Sequence, residues 1–100
     1  MVYDPGALNA SLSAAVGSDP DLVAQLRAEF IESVTKQADL MNRARCDANW
    51  VIAASRLKSL AASFSAIELL ELADEALDGA PGDPVVLRKL KVVVDQLTIH

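Results

Sequence analysis

The sequence is poor in the residues on which most catalytic and metal sites depend. It has one histidine, one cysteine and only four aromatic residues among its 100 residues. Because Cys46 has no second cysteine and no histidine cluster to join, both an internal disulfide and a zinc site are excluded. The histidine, His100, is the last residue of the sequence, where chains usually fray, so we expect no catalytic or ligand role for it.

Motifs for nucleophilic and phosphate-binding sites are also missing. The sequence contains no glycine-rich phosphate loop and no GxSxG, HExxH or paired-cysteine motif. Carboxylates do cluster at Glu68, Glu71, Asp74, Glu75 and Asp78, but a di-metal helical bundle also needs Glu-x-x-His motifs on two helices, so these side chains are expected to form a solvated face. We therefore predict that the chain is not an enzyme, has no catalytic residue, and binds no metal and no cofactor.

Basic residues and long apolar runs are scarce as well. The formal net charge is −5 and the pI is about 4.6, so nucleic acid and anionic lipid surfaces are repelled on average. The longest apolar run is far shorter than the ~20 residues that span a bilayer, and the N-terminal residues do not follow the pattern of a signal peptide. We expect a cytoplasmic protein that binds neither nucleic acid nor membrane.

What the sequence does contain is aliphatic residues arranged for helix packing. Apolar residues make up 52% of the chain and are mostly Leu, Val, Ile and Ala, which suit closely packed helices. The length predicts a single domain over residues 1–100. Three Asp-Pro pairs, at residues 4–5, 19–20 and 83–84, predict helix starts, because the aspartate caps the first turn and proline costs no hydrogen bond there.

The spacing of apolar residues then predicts five helices. They cover residues 5–16, 20–45, 50–64, 66–78 and 84–97. A tight turn is expected at residues 46–49, with Asp47 or Asn49 as the next N-cap, and a capping box is expected between Ser65 and Glu68. Short connections favour antiparallel neighbours, so the predicted fold class is all-α, an up-and-down antiparallel four-helix bundle with a short extra N-terminal helix.

The middle of the chain carries a family resemblance. Residues 53–66 read AASRLKSLAASFSA. This segment resembles the core motif of bacterial histidine-phosphotransfer (HPt) domains, Ala-His-x-Leu-Lys-Gly followed by small residues, an apolar residue, Gly and Ala. The short first helix, the Asp-Pro start of the second and the expected bundle are also similar, so the resemblance covers nearly the whole chain.

The resemblance implies a role in two-component signalling. In HPt domains the histidine projects from the third helix, takes a phosphoryl group from a receiver-domain aspartate and passes it on. Ser55 stands at the position of that histidine, and a phosphoserine ester gives up its phosphoryl group far less readily than phosphohistidine. Lys58 matches the family lysine that balances phosphate charge, while Ser59 and Ser65 replace two glycines. The implied function is a pseudo-phosphotransfer domain that binds a response-regulator receiver domain, with a histidine kinase as a second candidate partner.

Helical geometry allows one check on the contact surface that this function implies. Ser55, Lys58, Ser59 and Ala62 fall on one side of the third helix, opposite an apolar stripe that includes Leu57. The predicted partner-binding residues are Ser55, Arg56, Lys58, Ser59 and Ala62, with Gln37 and Met41 from the second helix. A simpler interpretation is that this is only the solvent side of an alanine-rich helix.

Two other functions stay open on the sequence. The chain can be a working phosphotransfer protein whose histidine has been replaced at position 55, or one that uses another residue. It can also be a purely structural or dimerising bundle, for which an exposed apolar patch on the last helix would be the signature.

Overall fold

The protein is all-helical, as predicted. In a computed structural model, which describes residues 5–17 and 19–99, the described chain forms five helices and no strand. The helices are α1 (Pro5–Val16), α2 (Pro20–Arg43), α3 (Asp47–Ser63), α4 (Ile67–Asp78) and α5 (Pro84–Ile99). The predicted cap Asp4 and the terminal His100 lie outside the described residues.

Two of the three Asp-Pro pairs form the caps that the sequence predicts. The backbone N–H of Asp21 donates to Asp19 Oδ1 at 2.9 Å, and that of Val85 donates to Asp83 Oδ1 at 2.9 Å. Each carboxylate thereby satisfies one of the free amides in the first turn of α2 or α5, which stabilises the helix by about 1 kcal/mol. The Asp-Pro pair therefore determines where α2 and α5 each begin.

The connection between α2 and α3 differs from the prediction. It comprises residues 44–46 and not 46–49, because α3 already begins at Asp47. Cys46 is the N-cap residue and makes no side-chain capping bond, so the prediction of Asp47 or Asn49 as the cap is wrong. Asp47 lies in the first turn instead, where its negative charge interacts favourably with the helix dipole.

One apolar stripe from each helix forms the core. The largest fully buried side chains are Trp50, Leu8, Leu12, Met41, Leu57, Leu69, Leu72, Leu90, Leu97, Val34, Val86 and Val93. On α3 the buried stripe also includes Ala53, Ala54 and Ala61, whose small side chains allow neighbouring helices to approach closely. Helix α2 contacts α1, α3 and α5, while α4 contacts α3 and α5. Helix α3 therefore lies between α2 and α4, and its remaining face is open.

The junction between α3 and α4 is a helix C-terminus and not the predicted capping box. The N–H of Ala66 donates to the carbonyl of Ala61 at 2.9 Å and that of Ser65 donates to Ala62 at 3.4 Å, which is the Schellman pattern. Ser65 occupies the left-handed position of this motif, with a φ of 55°. Since Ser65 ends α3, it does not cap α4, whose N-cap Ala66 has no side-chain bond.

Replacing Ser65 by glycine is expected to stabilise the protein by about 0.5–1 kcal/mol. A left-handed backbone costs a non-glycine residue about 1–2 kcal/mol, and the greater freedom of glycine in the unfolded chain offsets about 0.4–1 kcal/mol of the gain. Urea unfolding followed by circular dichroism measures the change. The matched control is Ser59→Gly, the same substitution inside α3, which is expected to destabilise by about 0.5 kcal/mol. A destabilised Ser65→Gly variant would contradict the prediction.

Candidate functional site

The exposed face of α3 forms an open surface between α2 and α4, which we name the α3 platform. It comprises Val51, Ile52, Ser55, Arg56, Lys58, Ser59 and Ala62, all of them exposed. Ser55 lies at the midpoint of α3 (Asp47–Ser63). Val51 and Ile52, one turn before it, are 44% and 48% exposed, which is unusual for aliphatic residues of this size. The platform thus combines small polar residues, two aliphatic side chains and two cations.

The structure brings five of the seven predicted contact residues together on this platform. The two from α2 behave differently. Met41 is only 1% exposed, so it cannot contact a docked protein and its prediction is wrong. Gln37 is 9% exposed. Both follow Phe30 and Val34 at the three- and four-residue spacing that keeps side chains on the inner face of a helix, which is why they turn inward.

A groove runs along the α2 side of the platform, and we name it the α2–α3 groove. Near the α2–α3 connection it widens into a depression of ≈ 500 Å³ lined by Leu40, Arg43, Ala44, Asn49, Ile52, Ala53 and Arg56. Further along it forms a second depression of ≈ 390 Å³ lined by Ser33, Gln37, Arg56, Ser59, Leu60, Ser63 and Phe64. Arg56 lines both depressions and therefore stands between them.

Gln37 brings an unpaired polar atom to this groove. Its Oε1 is buried and has no hydrogen-bond partner among the described residues. A buried carbonyl oxygen without a donor costs about 1–3 kcal/mol, and such groups are rare in folded proteins. Gln37 lines the second depression, but this oxygen lies beneath the surface and is not accessible from it.

The other cation of the platform is already paired. Lys58 Nζ lies 2.7 Å from Asp74 Oδ1 on α4, and both side chains are about half exposed. The hydrogen bond and the charge of Asp74, with a smaller contribution from Asp78, raise the pKa of Lys58 above its usual value of 10.5. The HPt resemblance implies that the Lys58 ammonium balances the charge of a phosphoryl group. In this structure the ammonium instead pairs with Asp74 of α4.

Ser59 of the platform and its neighbour Ser63 direct their hydroxyl groups to the backbone of α3. Ser59 Oγ donates to the Ser55 carbonyl at 3.2 Å, and Ser63 Oγ donates to the Ser59 carbonyl at 2.9 Å. Each of these hydroxyl protons is thus directed back to the helix backbone. Residues 1–99 contain no imidazole that could act as a base for Ser55.

Sequence reasoning missed several residues that shape this site. Ile52 lies four residues before Arg56, so the two share one face of α3. The spacing of Ile52 from the buried residues Trp50, Ala54 and Leu57 already predicts that it lies outside the buried stripe. Asp74 was placed only in a general acidic cluster. No sequence signal pairs it with Lys58, because the contact depends on how α4 is rotated against α3.

The ion pair between Lys58 and Asp74 predicts a pH dependence of stability. Because the folded-state pKa of Lys58 is raised above 10.5, its contribution is complete below that pH and is lost as the pH rises through the folded value. The contribution of this ion pair to the difference in unfolding free energy between wild type and Lys58→Met is therefore expected to be small and constant from neutral pH to about pH 10, and to be lost at higher pH. Urea unfolding of both proteins across this range measures it, and an unchanged difference at about pH 12 would contradict the assignment.

Two structural findings concern membranes and metals. Over the described ranges, no helix combines the length and the apolar character needed to cross a bilayer. The same residues contain no group of three or more His, Cys, Asp or Glu side chains that could hold a metal ion.

No protein-family model matches the chain, and neither a curated protein nor a solved structure is significantly similar to it.

Proposed function

We propose that the protein is a pseudo-phosphotransfer domain that binds a response-regulator receiver domain through α2 and α3 and does not relay phosphate. The observation that carries the proposal is Ser55, exposed at the midpoint of α3 where the resemblance expects the phosphoacceptor histidine. Ser59 and Ala62 follow it on the same exposed face, and Lys58 lies one turn later. The proposed setting is the cytoplasm, with a histidine kinase as a second candidate partner.

The contacts among the helices support the architecture that this function needs. Helices α2, α3, α4 and α5 contact one another in a closed ring, and α1 packs on α2. Such a ring is typical of an up-and-down antiparallel four-helix bundle with one additional helix. In that architecture the midpoint of α3 is a rigid part of the bundle, which is where a docking surface is held most firmly.

The backbone at Ser65 supports the resemblance independently of position 55. The HPt pattern has a glycine at this position, and the residue adopts a φ of 55°, which glycine tolerates best. A serine there retains the left-handed turn at some cost in stability. The sequence thus departs from the pattern in residue type while the backbone keeps the geometry that the glycine would serve.

The chemistry of the site favours binding without relay. A serine hydroxyl can at most form a stable phosphate ester, and Ser55 has no base to activate it. Lys58 is bound to Asp74 and does not face an empty site. A receiver domain docked here would therefore be held without losing its phosphoryl group. The protein could then compete with an active relay protein or keep a regulator from its target.

Calorimetric titration of purified receiver domains from the same organism tests the proposal. At least one receiver is expected to bind, and Ala62→Arg is expected to weaken that binding by about 30-fold or more, because a long charged side chain blocks close approach. The matched control is Ala28→Arg. Ala28 is exposed on α2, and because it lies two and a half turns from Gln37 it points away from the groove. Absence of binding to every receiver, or equal binding by Ala62→Arg, would refute the proposal.

A second candidate function has one observation in its favour. Val85 and Val92 of α5 are 42% and 56% exposed, and their seven-residue spacing places them on one face. Two exposed valines on one face of the last helix favour a dimerising bundle, although the exposed cations Arg88 and Lys89 lie between them. Light scattering over a range of concentrations decides it: a dimer that Val92→Lys converts to a monomer would favour this function, and a monomer at all concentrations would exclude it.

A further inference from the structure

Helix α1 is attached to the bundle by fewer contacts than the other helices. Over the described residues its backbone approaches only α2, whereas every other helix has neighbours on two sides. Among residues 8–16, only Leu8 and Leu12 are buried, while each of the four other helices buries at least four side chains. Two leucine side chains therefore supply most of the apolar contact that holds α1 in place.

Polar contacts do not add to these two leucines. Residues 5–18 read PGALNASLSAAVGS and contain no charged side chain, so α1 forms no ion pair. No side chain of residues 8–17 makes a hydrogen bond to another described residue. In contrast, side-chain hydrogen bonds join α2 to α5, α3 to α4 and α4 to α5, and one of them runs from Arg27 to the Leu97 carbonyl at 3.1 Å.

Once released from α2, α1 would not persist as a helix. It has 12 residues (Pro5–Val16), and isolated helices shorter than about 12–15 residues are marginal in water. It also cannot extend into α2, because Pro20 holds Asp19 in an extended conformation. Helix α2 keeps its own start, since Asp19 caps it without any help from α1. Release and unfolding of α1 therefore form a single step that leaves α2 intact.

The α3 platform does not depend on α1. Neither depression of the α2–α3 groove has a residue of α1 in its lining. Leu8 and Leu12 instead belong to the common core, and only residues 17–19 join α1 to α2, so α1 runs back along the first half of α2. Its release would uncover apolar core surface there and leave the platform unchanged.

We infer that α1 is a detachable strap, which releases from α2 and unfolds while the ring of α2, α3, α4 and α5 stays folded. Local opening of this kind is a property of segments with few buried contacts. The open form presents an apolar surface, beneath Leu8 and Leu12, that the closed form hides. This inference concerns a part of the molecule that the proposed function does not use, and it holds whether or not a receiver domain binds.

Hydrogen exchange of the full chain, followed by ¹⁵N NMR, tests the strap. In the wild-type protein the amides of residues 9–16 are expected to be protected at least about tenfold less than the slowest amides of α3. Val86→Ala changes the core at the start of α5, a helix that does not contact α1. It is expected to lower the protection of the slowest α3 amides by about tenfold and that of α1 amides by no more than about twofold, because α1 exchanges by its own release. Equal protection of α1 and α3 in the wild type, or an equal loss in both helices, would show one cooperative unit and overturn the inference.

A substitution in the strap itself is the second test. Leu12→Ala is expected to lower the protection of α1 amides by about 30-fold or more, while the amide signals of Ser55 and Ser59 keep their wild-type positions and urea unfolding stays cooperative. The matched control is Ser13→Ala, an exposed position at the next residue, which is expected to change α1 protection by no more than about threefold. A Leu12→Ala protein that loses the signals of the whole folded chain would overturn the inference.

Discussion

Replacing Trp50 by alanine is expected to lower the free energy of unfolding by about 3–5 kcal/mol, a large share of the roughly 5–15 kcal/mol by which ordinary domains are stable. Trp50 is 1% exposed in the first turn of α3. Its indole Nε1–H donates to the carbonyl of Ala76 at 3.0 Å, in the last turn of α4. That carbonyl is one of the four that a helix C-terminus leaves free, so one side chain both fills the core and completes the end of α4.

Two companion variants separate these contributions. Trp50→Phe retains most of the apolar volume but leaves the Ala76 carbonyl without its donor, and is expected to cost about 1.5–3 kcal/mol. Val51→Ala, at the next residue and 44% exposed, is expected to cost no more than about 0.5 kcal/mol. Circular dichroism in urea is the suitable measurement, because Trp50 is the only tryptophan and its fluorescence is lost with it. A loss below about 1 kcal/mol for Trp50→Ala would contradict this role.

The helices could be predicted because their signals are local. Aspartate followed by proline fixes a helix start within three residues, and both described caps, at Asp19 and Asp83, form as predicted. The segment from Ser65 to Glu68 shows the limit of such signals. Its pattern suits an N-terminal capping box, but the same serine can instead end the preceding helix, and the packing of α3 against α4 selects that second structure.

The site was predictable in so far as it lies on one helix. Periodicity along α3 placed Ser55, Lys58 and Ala62 on a common exposed face, and the structure agrees. Periodicity along α2 also placed Met41 on the apolar stripe, which predicts that it is buried. The prediction that Met41 contacts a partner contradicted this pattern and is wrong. The contact from Lys58 to Asp74 joins residues on two helices, so it depends on their relative rotation, which no spacing in the sequence encodes.

The pairing of Lys58 bears directly on whether phosphate chemistry could be restored. An ammonium stabilises a phosphoryl group in transfer only if it can move to it without losing a comparable partner. Asp74 is such a partner, at 2.7 Å. A histidine at position 55 would therefore regain the nucleophile of an HPt domain but only part of its electrostatic support. Removing the carboxylate of Asp74 would free the Lys58 ammonium to provide the remaining electrostatic support.

The Ser55→His variant is accordingly expected to become labelled when it is incubated with a phosphorylated receiver domain, whereas the wild-type protein stays unlabelled. The imidazole nitrogen attacks phosphorus, the bond from phosphorus to the aspartyl oxygen breaks, and the product is an acid-labile phosphoramidate. Ser55→His combined with Asp74→Asn is expected to be labelled about two- to fivefold faster, because Lys58 is then free to reach the phosphoryl group and an exposed ion pair restrains it only modestly. Ser63→His, two turns further along α3, is the control for position and is expected to stay unlabelled. Label on the wild-type protein would show a working phosphotransferase and refute the binding function proposed here, and equal labelling of the two Ser55→His variants would refute the restraint assigned to Asp74.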